Sequence, residues 1–179
     1  MKKIIFFLFI ALGMIFPAYL GAMDYQHKLE AKNMDVFWAI EKDQIHVKLS
    51  ARTTGWVSIG FDPEKAMQGA DIIIGAVKNG KVRIEDHYGD RKRGHSKDEK
   101  LGGENHVLNP WGQETDGVTT ISFSLLLDSK DKWDKSINPE GISRMMIAYG
   151  SGRDSFTARH QFRAVYDINY STGETKKIK

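Results

Sequence analysis

The side chains best suited to hold a metal in this 179-residue sequence are six histidines and seven methionines; cysteine is absent. Without cysteine there are no disulfides, no thiolate-held iron–sulfur cluster, no cysteine zinc site, no thiol catalysis and no covalent haem attachment through C-x-x-C-H. The histidines are His27, His46, His87, His95, His106 and His160. None pairs with another at the i, i+2 or i, i+4 spacing that builds a metal site on one strand or helix. His87, His95 and His106 flank a charged stretch, D-R-K-R-G-H-S-K-D-E-K-L-G-G at 90–103. They make a zinc or copper site only if the fold brings them together. No nucleophile elbow, Walker loop or dinucleotide fingerprint occurs. Gly150-Ser151-Gly152 lacks the lysine and the strand–loop–helix context of a phosphate loop. The chain is therefore read as a non-enzyme.

Met67 and His160 have the right chemistry and unremarkable settings. Met67 sits in a polar turn, A-M-Q-G-A-D, and His160 at a loop-to-strand entry, R-D-S-F-T-A-R-H-Q-F-R. Taken alone, a methionine is more often a packing filler and a histidine a hydrogen-bonded surface or core residue.

The elements that must position these residues are strands. In Q-I-H-V-K-L-S-A-R at 44–52, Ile45, Val47, Leu49 and Ala51 alternate with polar residues, the period of a half-buried strand. Residues 36–40 precede it across the polar turn Glu41-Lys42-Asp43, which predicts a hairpin. G-W-V-S-I-G-F at 55–61 predicts a further strand. The apolar run at 72–77 predicts one buried on both faces, and Asn79-Gly80 then turns the chain into the alternating strand 81–88. Strands follow at 119–127, 144–149 and 162–170. Asp62-Pro63 suggests a single helical turn over 62–67, and the charged 90–103 stretch reads as a solvated loop. At least eight closely spaced strands with no long amphipathic helix predict an all-β fold, an immunoglobulin-like antiparallel β-sandwich.

Residues 1–22 read as a signal peptide. Lys2 and Lys3 precede an apolar run to about Leu20, and Gly21-Ala22 supply small residues for cleavage. Removing these 22 residues, with two lysines and no acid, leaves 157 residues and lowers the formal charge from +3 to +1. The expectation is one periplasmic or secreted domain, 23–179, with no membrane span after cleavage. Its near-neutral charge argues against nucleic-acid binding.

Three blocks resemble the DOMON family: G-W-V-S-I-G-F, M-Q-G-A-D-I-I-I-G-A-V and N-G-K-V-R-I-E-D-H-Y. The likeness continues through D-G-V-T-T-I-S-F-S-L-L-L-D and M-M-I-A-Y-G, the latter followed by a histidine. The chain looks like the haem-binding branch, similar to the cytochrome domain of cellobiose dehydrogenase. That resemblance implies a β-sandwich with a pocket between its sheets for haem b, held non-covalently. It also implies Met67 and His160 as axial ligands, with a lysine as the alternative to His160. Candidate pocket residues are Trp56, Phe61, Tyr149, Phe156 and Phe162, with Arg153, Arg159 and Arg163 near the propionates. Ser124 stands where many relatives carry arginine. Thioether and imidazole together fill both axial positions of the iron, which leaves electron transfer as the natural role, and methionine raises the potential. The implied partner is a dehydrogenase or a membrane quinone-linked system. The alternative reading is a haem-free module that binds a sugar or another small ligand, with Trp56 and Trp111 available to stack on it.

Overall fold

The computed structural model describes residues 23–179, so the expected signal peptide lies outside the described residues. Twelve strands and one short helix follow in order. They are β1 (His27–Ala31), β2 (Met34–Glu41), β3 (Gln44–Ala51), β4 (Val57–Phe61), β5 (Asp71–Lys78), β6 (Lys81–Arg91), β7 (Gly94–Lys97), α1 (Asp98–Leu101), β8 (Leu108–Thr115), β9 (Val118–Leu126), β10 (Ser143–Gly150), β11 (His160–Ile168) and β12 (Thr175–Lys177). They form two antiparallel sheets: a five-stranded sheet in the order β1-β2-β3-β9-β8 and a seven-stranded sheet in the order β12-β11-β10-β4-β5-β6-β7. This is the sandwich that the strand spacing predicts.

The expected hairpin is β2–β3, in register from Met34↔Ala51 to Glu41↔Gln44. Asn79 (φ 51°) and Gly80 (φ 72°) both adopt the left-handed backbone of a type I′ turn between β5 and β6. Strand β8 carries no apolar alternation and contains Pro110. It lies at the edge of its sheet with most side chains exposed, where a missing amide costs no ladder bond.

Two expectations are corrected. Residues 62–67 do not form a helical turn. Asp62 takes φ 43°, and its carboxylate accepts a bond from the Arg144 amide instead of capping a helix. The 90–103 stretch is not a free loop, because it contains β7 and α1 and fully buries Asp98.

The space between the sheets is filled. Trp38, Tyr170, Phe61, Met34, Ile45, Leu49, Ile59, Ile73 and Ile121 are among its fully buried side chains. Trp38 donates its indole N–H to the Tyr170 carbonyl at 3.0 Å. Each large side chain buried here contributes roughly 1.5–3 kcal/mol. A haem-sized ligand therefore has no room between the sheets.

Candidate functional site

Strand alternation gives the seven-stranded sheet a second apolar face, directed away from the partner sheet. Along β5, Ile73 and Val77 join the inter-sheet core, while Ile74 and Ala76 cluster with Trp56, Phe156 and Ala148. Ile72 is on this outer side too, against Gly60 and Met146: a Cβ on Gly60 would meet Met146 Cε at 2.9 Å and Ile72 Cγ1 at 3.3 Å. Both faces of β4 and β5 are thus buried, which explains why 72–77 reads as a continuous apolar run.

The expected pocket residues divide between these faces. Trp56 and Phe156 lie in the outer cluster. Phe61, Tyr149 and Phe162 belong to the inter-sheet core, with Tyr149 stacked on Phe162 at 5.3 Å, and do not line the outer face. Their parity on β4, β10 and β11 is the cause, since one residue of offset reverses the face. Arg153 and Arg159 are exposed in the loop 151–159, and Arg163 is exposed on β11.

Met67 follows Ala66, whose φ of 55° is a strained backbone setting for a residue with a Cβ. Its backbone rests on Gly89 of β6, where a Cβ would fall 1.6 Å from the Met67 carbonyl oxygen. Its amide donates to the Lys92 carbonyl, and its carbonyl accepts from Ala70. His160 begins β11, in register with Gly150 across a bulge. It is half-buried, and desolvation with Arg163 and Arg159 nearby lowers its pKa. The registers put Met67 and His160 at diagonal corners of the seven-stranded sheet, four strand positions apart. Along the sheet that is roughly 19 Å across and roughly 20 Å lengthwise. The structure does not bring the two side chains together. It sets their two loops at either side of the outer face, which the 151–159 loop covers with Phe156.

The histidines that do meet are His87 and His95. Their Nδ1 atoms are 2.8 Å apart, and His87 Nε2 lies 3.1 Å from Glu85 Oε2. A carboxylate only accepts, so His87 carries its proton on Nε2 and its bare Nδ1 accepts from His95 Nδ1–H. Both rings are then neutral. Burial lowers both pKa values, that of His95 to about 4. The pair belongs to the same face: Phe156 lies edge-on to His87 at 6.1 Å and stacks under Arg83 at 3.9 Å. His106 does not join the pair, because it faces Asp134 instead. The residue pattern of β6 and β7 gives no signal for this pairing, since β7 has no apolar alternation.

The outer face suits a flat apolar cofactor in its donors and its lining. Met67 carries a thioether and His160 an imidazole, donor types that suit haem iron, but at diagonal corners of the sheet the two do not meet at one point. Small and aliphatic side chains pave the sheet between them. The buried Trp56 indole N–H lacks a hydrogen-bond partner and is free to donate to a carboxylate. An open cleft of about 390 Å³, lined in part by Ala76, Arg83 and Asp154, adjoins the Phe156 cluster. Trp56 is too buried to stack on a sugar, whereas Trp111 on β8 is 49% exposed.

Residues 30–150 match the family described as DOMON domain. The chain is 33% identical over 112 residues to human DBH-like monooxygenase protein 1, covering 63% of this chain and 18% of that protein. The mouse protein of the same name is 30% identical over 112 residues, with the same coverage of each chain. The chain thus spans about a fifth of the length of these relatives. Two solved structures share the fold. One is the cytochrome b domain of pyranose dehydrogenase from Coprinopsis cinerea (TM-score 0.57, 13% identity, covering 79% of this chain and 78% of that one). The other is the cytochrome domain of Myriococcum thermophilum cellobiose dehydrogenase (TM-score 0.58, 8% identity, covering 82% of each).

Proposed function

The chain belongs to the DOMON family, and from that premise we propose that it is a b-type haem-binding electron-transfer domain. Met67 and His160 are the proposed axial ligands, and the outer face of the seven-stranded sheet is the proposed seat of the macrocycle. What supports this reading is the DOMON match together with the second buried apolar face of the seven-stranded sheet; binding of one iron by both residues would require the 62–70 and 151–159 segments to close toward each other across that face. The likeness to two cytochrome domains supports it at the level of fold.

Met67 and His160 would hold the haem iron, and the group would supply one-electron exchange there. The protein's part is to exclude water and hold the ligands. Ile72, Ile74, Ala76 and Ala148 present an apolar floor. Phe156 and Trp56 close it, and the unpartnered Trp56 indole N–H would donate to a propionate that reached it. Arg153, Arg159 and Arg163 surround His160 in sequence and give the mouth positive charge that suits carboxylates. Met67 is held through its backbone by Gly89, Ala70 and Lys92. Phe156 covers this face from the 151–159 segment, so a cofactor seated there would have to displace it.

The proposed setting is periplasmic or secreted, with residues 1–22 removed. The proposed partner is a redox protein, either a dehydrogenase or a membrane quinone-linked system. No helix among the described residues is long and apolar enough to cross a membrane. One observation favours a haem-free, sugar-binding reading, namely the exposed Trp111 ring. The deciding experiment is hemin titration of the purified protein followed by dithionite reduction. A sharp Soret band that shifts on reduction, with resolved α and β bands at one haem per chain, is expected. A featureless titration, together with carbohydrate affinity lost in Trp111→Ala, would replace this reading with the second one.

A further inference from the structure

A cluster of carboxylates lies at the opposite side of β6 from His87, and the haem reading makes no use of it. Asp71 opens β5, Asp86 lies on β6, Asp98 opens α1, and Asp134 comes from the loop between β9 and β10. Asp71, Asp86 and Asp98 are 4%, 1% and 0% exposed. Among the described residues, no lysine or arginine side chain forms an ion pair with any of the four. Buried charges of one sign without a counter-charge are costly. A cation among these four aspartates, drawn from four separate segments, would offset that cost.

We propose that Asp86, Asp98, His106 and Asp134 form a binding site for one divalent cation, with Asp71 behind it as a further carboxylate.

The geometry argues for this beyond the count of acids. One ligand atom each from Asp86, His106 and Asp134 lies within 4.8 Å of the others. Asp98 is fully buried, and neither of its carboxylate oxygens has a hydrogen-bond partner. Asp71 Oδ1, Asp86 Oδ1 and Asp134 Oδ1 are likewise buried and unpartnered. The other oxygens of Asp86 and Asp71 accept from the backbone amides of His106 and Lys135, so these carboxylates are oriented by the chain. His106 Nδ1 and Asp134 Oδ2 are 3.0 Å apart without the alignment of a hydrogen bond. Two neighbouring ligands, each about 2.1 Å from one ion, stand about 3 Å apart.

Carboxylate oxygens suit calcium or manganese, and an imidazole nitrogen adds zinc or manganese. The shared chemistry is a divalent cation, and His106 decides which. The site does not depend on haem: it lies on the inner side of β6 and is tested in chain that has never seen hemin.

The experiment uses full chain stripped with EDTA, then thermal unfolding and calorimetric titration with Ca²⁺, Mn²⁺ and Zn²⁺ separately. At least one ion is expected to bind one to one and to raise the midpoint by about 5 °C or more at a hundredfold excess over Kd. Asp98→Asn and Asp86→Asn are expected to lose that response. The ion-free Asp98→Asn chain is expected to melt no lower than ion-free wild type, since a neutral amide relieves repulsion; this separates lost binding from lost folding. In His106→Gln, a surviving calcium response identifies an all-oxygen site, and a lost zinc or manganese response identifies the imidazole as a ligand. If no ion binds or shifts the midpoint at millimolar concentration, or if both aspartate variants keep the wild-type response, the proposal is overturned.

Discussion

The carbonyl oxygen of Met67 occupies the position that a Cβ on residue 89 would take, 1.6 Å from where that carbon would be built. Glycine at 89 is thus what lets the 62–70 loop lie down on β6. Gly89→Ala is expected to lift that loop and cost more than about 2 kcal/mol, in the range of overpacking at a rigid contact. Denaturant unfolding measures the cost. If haem binds as proposed, the same variant also weakens hemin affinity, because it displaces Met67 without altering either proposed ligand. Wild-type stability in Gly89→Ala would show that the loop is not anchored there.

The neutral pair His87–His95 gives the domain an acid-sensitive element. Burial pushes the His95 pKa down to about 4 in the fold, against about 6.5 for an ordinary histidine, so the folded state favours its neutral form. The stability tied to this shift is complete above pH 6.5 and is lost as pH falls from 6.5 toward 4. With partial exposure discounted, the loss is on the order of 2 kcal/mol. Comparing urea midpoints of wild type and His95→Asn at pH 7.5 and pH 4.5 checks this: the gap between them is expected to narrow or reverse at the lower pH. A pH-independent gap would contradict it.

Between the sheets, Trp38 ties β2 to the chain after β11 through its bond to the Tyr170 carbonyl. Trp38→Phe keeps an aromatic ring and removes the donor, leaving a buried carbonyl unpaired. A loss of about 1–3 kcal/mol is expected, and Trp38→Ala should lose about 3–5 kcal/mol. Thermal unfolding of the two variants measures both. A Trp38→Phe chain as stable as wild type would mean that the indole N–H contributes nothing.

Sequence and structure agree where side-chain alternation is strong and part where it is weak. The alternation at 44–51, the apolar run at 72–77 and Asn79-Gly80 are local signals, and each became the strand or turn it predicts. Strands β7 and β8 were not legible, because edge strands with polar or exposed side chains carry no periodic signal. Asp98 looked like one more charge in a solvated run, but its burial depends on Asp86 and Asp134, which are distant in sequence. The aromatic residues were legible as buried but not by face. Trp56 lies outside the seven-stranded sheet and Phe61 lies inside it, a distinction set by register against β10 and β5. Met67 and His160 were legible as chemistry; their placement at diagonal corners is a property of sheet order alone.

The most direct test of the proposed site is the reduced-minus-oxidised absorption spectrum of hemin-loaded protein in four single variants: Met67→Ala, His160→Ala, His87→Ala and His95→Ala. The account predicts that Met67→Ala and His160→Ala each abolish the six-coordinate low-spin bands, while His87→Ala and His95→Ala keep them. Low-spin bands that survive in His160→Ala and vanish in His95→Ala would contradict it, and would move the second ligand to the histidine pair beside Met67.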